Sequence, residues 1–173
     1  MSGAPSLLSA TIGLNSGWNL ISSPIVPTDN AIGNMLGALA GKYSVVWAYQ
    51  NNLWHMYDPA NPGFSDLTTM EAGWGYWIKM TQAGSLNMSG TAASKTMSLL
   101  AGWNLVGYNS TTSQSIANAL ASIVDKVDVV WSYQNGAWKM YDPANPGFSD
   151  LNTMDSGYGY WIKTKQACTW TLP

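Results

Sequence analysis

The sequence contains one long segment twice, and this internal repeat constrains the fold more than any other feature. Residues 45–83 match residues 129–167 at about 29 of 39 positions, with a constant offset of 84 residues. Inside this segment, residues 56–67 recur without a single change as residues 140–151. Similarity at this level indicates a recent duplication, so we expect both copies to adopt the same fold.

The two copies show the same order of strand and helix patterns, and we predict two units, residues 1–89 and 90–173. In each unit two strands precede one amphipathic helix, and a hairpin and two further strands follow it. The predicted fold class is α+β and mainly β: two copies of a curved, mostly antiparallel sheet or small barrel, each with one helix, related by a pseudo-twofold axis. Residues 87–95 are either a linker or a strand that passes from one unit into the next.

The predicted helix of the first unit is defined by apolar residues on one stripe. Ile32, Met35, Leu36 and Leu39 follow the i, i+3, i+4, i+7 spacing, and Gly41 ends the helix. The same spacing recurs in the second unit, where a serine at position 113 or 115 is expected to cap the helix. Both units are therefore expected to pack one helix against their sheet.

A hairpin follows the helix in each unit. Its turn is Asn51-Asn52 in the first unit and Asn135-Gly136 in the second, and Asn-Gly is the dipeptide that a type I′ turn favours. After the hairpin comes a loop, residues 58–66 in the first unit and 142–150 in the second, which we call the Asp-Pro loops. Each contains two prolines and a glycine, which disfavour helix and sheet pairing.

The composition excludes several classes of function. Only 9% of the residues are charged and the net charge is -2, with no arginine, so the clustered cations that bind nucleic acid are missing. A run of about 18 apolar residues, which a membrane-spanning helix needs, does not occur. A single cysteine, Cys168, and a single histidine, His55, cannot form a disulfide or a four-ligand zinc site. We predict no metal and no other cofactor.

Four short motifs recur in both units and suggest a family. In the first unit they are Gly17-Trp18-Asn19-Leu20, Val46-Trp47-Ala48-Tyr49, Met56-Tyr57-Asp58-Pro59 and Gly75-Tyr76-Trp77-Ile78. In this order they resemble a repeat module of secreted bacterial cell-surface proteins, and the resemblance covers nearly the whole chain, twice. It implies an extracellular or cell-surface location and a binding or structural role. The first five residues have neither the basic segment nor the apolar core of a signal peptide, so this location implies a signal that was removed.

Acidic residues recur in matched sets, and both glycoside hydrolysis and calcium binding use such residues. The sets are Asp58, Asp66 and Glu71 in the first unit and Asp142, Asp150 and Asp155 in the second. We favour a structural role, in which Asp58 forms a turn ahead of Pro59 and Ser65 or Asp66 caps a helical turn that ends at Met70. Calcium binding stays open as an alternative, and a glycoside hydrolase is the least favoured one. His55 is expected at the surface, because the second unit has Lys139 in its place.

Aromatic side chains carry the remaining functional pattern. Trp47, Tyr49 and Trp77 lie in the middle of predicted strands and are expected in the core. Aromatic residues at strand ends beside the Asp-Pro loops could instead stack on the C–H face of a sugar, while Asn and Asp oxygens bind its hydroxyl groups. The predicted ligand-binding residues are Trp54, Tyr57, Asp58, Asn61 and Trp74 in the first unit and Trp138, Tyr141, Asp142, Asn145 and Tyr158 in the second.

We therefore predict a non-catalytic, extracellular binding or structural module with two equivalent sites, for carbohydrate or a cell-surface partner. The alternative is an assembly or accessory domain of a larger surface protein, whose loops and sheet edges contact a partner protein or a second copy of this chain. The predicted partners are accordingly a glycan, a surface protein or the chain itself. Neither interpretation assigns a catalytic residue.

Overall fold

The computed structural model describes residues 3–173 as a mainly β protein. Met1 and Ser2, the first residues of the predicted first unit, lie outside the described residues. The strands of the first half are β1 (Leu8–Leu14), β2 (Gly17–Ser22), β3 (Ile25–Pro27), β4 (Tyr43–Gln50), β5 (Leu53–Tyr57), β6 (Gly75–Met80) and β7 (Gly84–Ala92). Those of the second half are β8 (Thr96–Leu99), β9 (Gly102–Gly107), β10 (Gln114–Ser115), β11 (Val127–Gln134), β12 (Ala137–Tyr141), β13 (Thr153–Met154), β14 (Gly159–Thr164) and β15 (Cys168–Thr171).

Two four-stranded antiparallel sheets form the centre of the molecule. Their strand orders are β2-β6-β4-β5 and β9-β14-β11-β12, so the strands of the two sheets follow the same order. Three smaller sheets, β1-β7-β3, β8-β15 and β10-β13, complete the architecture. The mainly β, antiparallel prediction is confirmed. The small barrel is not observed, because none of the sheets built from residues 3–173 is closed.

Two α-helices, α1 (Ile32–Met35) and α2 (Ile116–Ala119), are much shorter than the sequence pattern predicts. In the first half, a short 3₁₀ turn at 37–39 follows α1, so the apolar stripe continues although the α-helix does not. Ile32, Leu36 and Leu39 are buried in the core as predicted. The glycines at 33 and 37 do not account for this, because α2 is equally short with Ala117 and Ala121 at the equivalent positions.

Local polar interactions confirm one predicted cap and contradict another. Ser115 caps α2, since its hydroxyl accepts a hydrogen bond from the backbone N–H of Asn118 at 3.3 Å. The helical turn predicted to end at Met70 is wrong, because the described chain forms no helix between Asp66 and Met70. Instead, the Asp66 carboxylate accepts from the backbone N–H of Met56 at 2.7 Å and ties the loop back to β5.

The hairpin turns have the predicted geometry. Asn51 and Asn52 have φ values of 53° and 65°, and Asn135 and Gly136 have 52° and 79°. Positive φ at both central residues is what a type I′ turn requires. Register in the β4–β5 and β11–β12 hairpins is therefore set locally by these dipeptides.

Residues 87–95 contain a strand rather than a free linker. β7 pairs with β1 along Leu8–Leu14 and with β3 at Ile25–Pro27, and it runs on to Ala92. The predicted boundary between 89 and 90 falls inside this strand, and the division into two units stays a prediction.

Each half has a hydrophobic core of its own. The core of the first half includes Ile12, Leu14, Ile21, Ile25, Ile32, Leu36, Leu39, Val46, Leu67, Met70, Tyr76, Ile78 and Leu86. The core of the second half includes Leu99, Val106, Tyr108, Ile116, Leu120, Ile123, Val130, Leu151, Met154, Tyr160, Ile162 and Trp170. In both, one face of the four-stranded sheet packs against the short helix. No helix within residues 3–173 has the length and hydropathy to cross a membrane.

The halves are joined by reciprocal backbone hydrogen bonds at the ends of β2 and β9. The Ser22 N–H donates to the Gly157 carbonyl at 3.0 Å, and the Gly107 N–H donates to the Gly73 carbonyl at 3.0 Å. Isolated bridges beside them pair Ile21 with Tyr158 and Trp74 with Val106. These contacts hold the two large sheets next to each other, at the faces that point away from the two cores.

Candidate functional site

The candidate site lies on the face of each four-stranded sheet that points away from its core. Strand alternation places Val46, Ala48, Tyr76 and Ile78 on the core face, where each is fully buried. The opposite face of the same strands carries tryptophan and tyrosine. The second sheet repeats this division.

Aromatic side chains cover these opposite faces in a continuous layer. The layer contains Trp18, Trp47, Tyr49, Trp54 and Trp77 of the first half and Trp103, Trp131, Tyr133, Trp138 and Trp161 of the second. Trp54, at the end of one hairpin, reaches Trp161 of the other sheet at 5.9 Å between ring centroids. Reciprocally, Trp138 reaches Trp77 at 5.6 Å. The hairpin tips therefore cross from one half to the other.

Two open grooves run through this aromatic layer. The first groove, of about 540 Å³, is lined by Trp18, Trp47, Trp54 and Trp77. The second groove, of about 630 Å³, is lined by Trp103, Trp131, Trp138 and Trp161 together with Tyr49 and Trp54. The four tryptophans of the first groove have all four of their sequence equivalents in the second, so the two grooves share one design.

The rings within each groove stand at right angles to one another. Trp18 and Trp77 meet at an interplanar angle of 88°, and Trp47 and Trp54 meet at 85°. The equivalent pairs of the second groove meet at 89° and 85°. Edge-to-face packing of this kind is favourable, and the rings that line each groove therefore hold one another in place.

The polar groups of the groove lining are the indole N–H groups and the Tyr49 hydroxyl, and two lysines lie over tryptophans of the lining. Trp170, deep in the second core, donates its indole N–H to the Ala119 carbonyl at 2.6 Å. Within residues 3–173, no tryptophan of the aromatic layer uses its N–H in a protein hydrogen bond, and none of these N–H groups is a buried unsatisfied donor. Lys79 lies 5.6 Å from the centre of the Trp18 ring, and Lys163 lies 5.8 Å from that of Trp103.

The hairpin tryptophans are the most exposed members of the layer. Trp54 is 50% exposed and Trp138 is 49% exposed, whereas Trp18 and Trp103 are each 39% exposed. About half of the surface of each of these two hairpin tryptophans is thus exposed to solvent. Trp54 and Trp138 are the predicted site residues that the structure places in the grooves.

The predicted Asp and Asn residues lie in the Asp-Pro loops, where they are bonded to each other. The Asp58 carboxylate accepts from the Ala60 N–H at 2.8 Å and from the Asn61 side-chain amide at 2.9 Å. Asp142 and Asn145 repeat this arrangement, with 2.9 Å between carboxylate and amide. This confirms the turn predicted ahead of Pro59, and none of these polar groups lines a groove.

The loop acids have lowered pKa values. The hydrogen bond from the Asn61 side chain, followed by that from the Ala60 N–H, holds the pKa of Asp58 below its usual value. The bond from the Met56 N–H lowers the pKa of Asp66, and His55, whose Nδ1 lies 2.9 Å from the same carboxylate, adds to the effect. These carboxylates are therefore stabilised in their charged form.

The remaining predicted site residues lie away from the grooves. Tyr57 packs against the first core, and Tyr141 is buried in the second. Trp74 lines a separate cleft of about 310 Å³, while Tyr158 lines the corresponding crevice of about 20 Å³. The ten predicted site residues thus do not form one site in each half. Two line the grooves, four lie in the Asp-Pro loops, two pack in the cores and two line the smaller clefts.

The expectation that Trp47, Tyr49 and Trp77 lie in the core is wrong. These residues are half-buried members of the aromatic layer, because the aliphatic residues of the alternate positions fill the core. One pattern could have revealed this. Trp77 and Lys79 are two positions apart on one strand and share a face, and a lysine needs solvent. The neighbouring Ile78 occupies the buried face.

Metal binding and relatives give no further guidance. Within residues 3–173, no three His, Cys, Asp or Glu side chains lie close enough together to hold a metal ion. Comparison with family models, curated proteins and solved structures finds no match for this chain. The function has to follow from the chemistry of the grooves.

Proposed function

We propose that the chain is a non-catalytic binding module whose two aromatic grooves are equivalent sites for carbohydrate. The observation that carries this proposal is the pair of grooves lined by matched tryptophans, with Trp54 and Trp138 half exposed in them. A sugar ring has one apolar C–H face, which an exposed indole ring can cover. Binding grooves are typically lined by aromatic side chains with only a few polar groups.

The free indole N–H groups supply the polar component of such a site. An indole N–H is a donor only, and a sugar hydroxyl oxygen can accept from it. Tyr49, which lines the second groove, adds a phenolic hydroxyl that can both donate and accept. Stacking and hydrogen bonding would then come from the same rings, and the Asp-Pro loops would not be needed for ligand contact.

The two sites would be related by a pseudo-twofold axis between the large sheets. Equal strand orders, the reciprocal bonds of Ser22 and Gly107, and the crossed contacts of Trp54 and Trp138 all support this relation. Two sites on one rigid body raise the overall affinity for a repeating ligand, because the second binding event becomes intramolecular. A polysaccharide on a cell surface is such a ligand.

A role as catalytic acid is disfavoured for three of the loop carboxyl groups by the direction of their pKa shifts. A glycoside hydrolase needs one carboxyl group with a raised pKa to protonate the leaving group. The pKa values of Asp58, Asp66 and Asp142 are shifted in the opposite direction. His55 has Lys139 as its equivalent, so two equal catalytic sites could not both use a histidine.

An extracellular location is part of the proposal and rests on the resemblance to secreted surface modules. The low charge content, 9%, is compatible with it. The second candidate function is an assembly domain, and one observation favours it: Phe64 and Phe148, at the tips of the Asp-Pro loops, are each 89% exposed. Aromatic side chains are enriched at protein–protein interfaces.

Titration of tryptophan fluorescence against a glycan panel tests the proposal. Binding should quench or shift the emission of the groove tryptophans, and the double variant Trp54→Ala plus Trp138→Ala should abolish the response, because it removes the most exposed ring from each groove. Calorimetry on any responding glycan should give two sites per chain.

Leu53→Ala is the matched control. Leu53 precedes Trp54, is 62% exposed and points to the other face of β5, and the second half already has Ala137 at this position. It should bind like the wild type. A panel without any response, or a response that survives the double tryptophan substitution, would exclude the grooves as carbohydrate sites.

A further inference from the structure

Among residues 3–173, the two most exposed large apolar side chains occupy equivalent positions. Phe64 and Phe148 are each 89% exposed, far more than any groove tryptophan. Each lies at the end of a short 3₁₀ turn, Pro62–Phe64 and Pro146–Phe148. Neither ring contributes to the core of its own half. The folding of the chain does not account for either phenylalanine.

The loops that carry these rings are braced by hydrogen bonds at both ends. Asp58 binds Ala60 and Asn61, and its own N–H donates to the Ser65 hydroxyl at 2.8 Å. At the other end, the Asp66 carboxylate holds the Met56 N–H. A ring displayed on such a braced loop loses little conformational entropy on binding, which favours a docking role.

The loops have also kept their sequence while their surroundings changed. Residues 56–67 and 140–151 are identical, including both prolines and the phenylalanine. The positions just outside differ, with His55 replaced by Lys139 and Thr68 by Asn152. The two halves therefore present the same exposed phenylalanine, Phe64 in one and Phe148 in the other, which we call the knob.

The chain also contains surfaces that fit such a knob. Grooves of about 540 and 630 Å³ are within the range of ordinary ligand pockets and have room for a benzyl ring. Their tryptophan walls would pack edge-to-face against the phenyl ring, as they already do against one another.

Charge is complementary between knob and groove. Asp58 and Asp66 flank the phenylalanine loop, and their lowered pKa values keep them anionic at neutral pH. At the edges of the grooves stand Lys79, above Trp18, and Lys163, above Trp103. A loop entering a groove would bring its acids towards a lysine, which favours association and sets its orientation.

We infer that the Asp-Pro loop of one molecule docks into an aromatic groove of a second copy of this chain, with Phe64 or Phe148 inserted among the tryptophans. This inference takes the grooves as binding sites and so rests on the proposed function, for which it names a protein occupant that competes with sugar. Knob and groove are different surfaces, and each chain carries two of each, so repeated contacts build reciprocal pairs, rings or open chains according to the rotation between neighbouring copies. One loop buries little area, so each contact is weak and assembly rises steeply with concentration.

Sedimentation velocity over a concentration series tests this inference, with three proteins of the full chain. The wild type should form larger species as concentration rises. The knob variant, Phe64→Ala plus Phe148→Ala, should weaken association roughly ten- to a hundredfold, as expected for the loss of a central aromatic anchor. Because both side chains are solvent-exposed, this variant should fold normally. The Leu53→Ala variant removes an exposed apolar side chain outside both surfaces and should assemble like the wild type.

A complementation experiment separates knob from groove. The groove variant, Trp54→Ala plus Trp138→Ala, should also fail to assemble alone. Mixed with the knob variant it should assemble again, because one partner supplies intact loops and the other intact grooves. A monomeric wild type at every concentration, or undiminished assembly of the knob variant, would overturn the inference.

Failure of this inference and failure of the carbohydrate proposal give different results. Glycan titration is done at concentrations where the protein is monomeric, and there the knob variant retains its grooves. Self-association without a glycan response would exclude the carbohydrate proposal and support the docking of the loop. A glycan response without self-association would support the carbohydrate proposal and exclude the docking of the loop.

Discussion

The two faces of each four-stranded sheet differ in how they use large side chains. On the core face of the first sheet, Val46, Tyr76 and Ile78 are fully buried. On the opposite face, one position away along the same strands, tryptophans pack on one another and stay open to solvent, and Trp54 is 50% exposed. The same backbone thus supports an ordinary core on one side and a preformed aromatic surface on the other.

This difference indicates that the aromatic face is not simply a second core. A fully buried core leaves no room between its side chains, whereas the tryptophan face contains two grooves. Exposed apolar surfaces of this kind are candidate binding sites, which is the basis of the proposed function. Four experiments test the contrast between the faces and the contacts that support it.

The largest effect on stability is expected on the core face. Ile78→Ala should lower the free energy of unfolding by about 2–5 kcal/mol, because it leaves a cavity in a site with no exposure. Ile162→Ala, the equivalent change in the second sheet, should cost about as much. Chemical denaturation checks both. If either loss were below that of Trp54→Ala, the assignment of core and aromatic faces would have to be exchanged.

The next largest effect is expected where the halves meet. A Cβ on Gly75 would lie 2.9 Å from the carbonyl oxygen of Val106, so Gly75→Ala should cost about 2–3 kcal/mol of unfolding free energy through overpacking. Gly63→Ala is the control, since nothing lies within 4 Å of its Cβ. Equal thermal stability of the two variants would show that the halves do not approach as closely as described.

A smaller loss of stability is expected on the aromatic face. Trp54→Ala removes ring contacts with Trp47, Tyr49 and Trp161 but opens no closed cavity, so about 1–2 kcal/mol is expected. Measured by denaturation, the variant should keep a cooperative transition. A collapse of the fold would mean that the aromatic layer is structural rather than a surface available for binding.

The smallest effect is expected from acid in the Asp-Pro loops. Because the folded pKa of Asp58 lies below its ordinary value of 3.8, its contribution to loop order is complete above that pH and is lost as the pH falls through the lowered value. The protection of the Ala60 N–H from exchange, measured relative to the intrinsic exchange rate at each pH, should fall in that window. In Asp58→Asn the acid dependence should disappear, because the amide oxygen still accepts and does not titrate. Protection that does not change with pH in the wild type would contradict the hydrogen bond between the Ala60 N–H and the Asp58 carboxylate.

Local patterns predicted the elements that depend only on neighbouring residues. The type I′ turns followed from Asn-Asn and Asn-Gly, and the turn at Asp58 from the following proline. The helices were overestimated, since an apolar stripe at helical spacing can also be buried by a 3₁₀ turn. The helical turn after Asp66 failed because the carboxylate bonds to Met56 across the loop, a partner that local sequence does not reveal.

The candidate site was predicted only in part, and for one reason. Trp54 and Trp138 were predicted as ligand-binding residues, but Trp47 and Trp77 were assigned to the core because they lie in the middle of strands. Each sheet presents two faces, and hydrophobicity alone does not say which face is covered. The face of Trp77 was nevertheless encoded in its neighbour Lys79, two positions along the strand.

What the sequence determined by itself was the pattern within each strand: turn dipeptides, alternation, and a segment repeated at a fixed offset. These follow from backbone geometry over a few residues. Only the tertiary structure decided that Trp54 meets Trp161 and that Trp138 meets Trp77, since these contacts depend on how two sheets lie against each other. Backbone bonds at Ser22 and Gly107 hold the sheets at that distance, and the bond from Ser22 reaches Gly157, which is far away in the sequence.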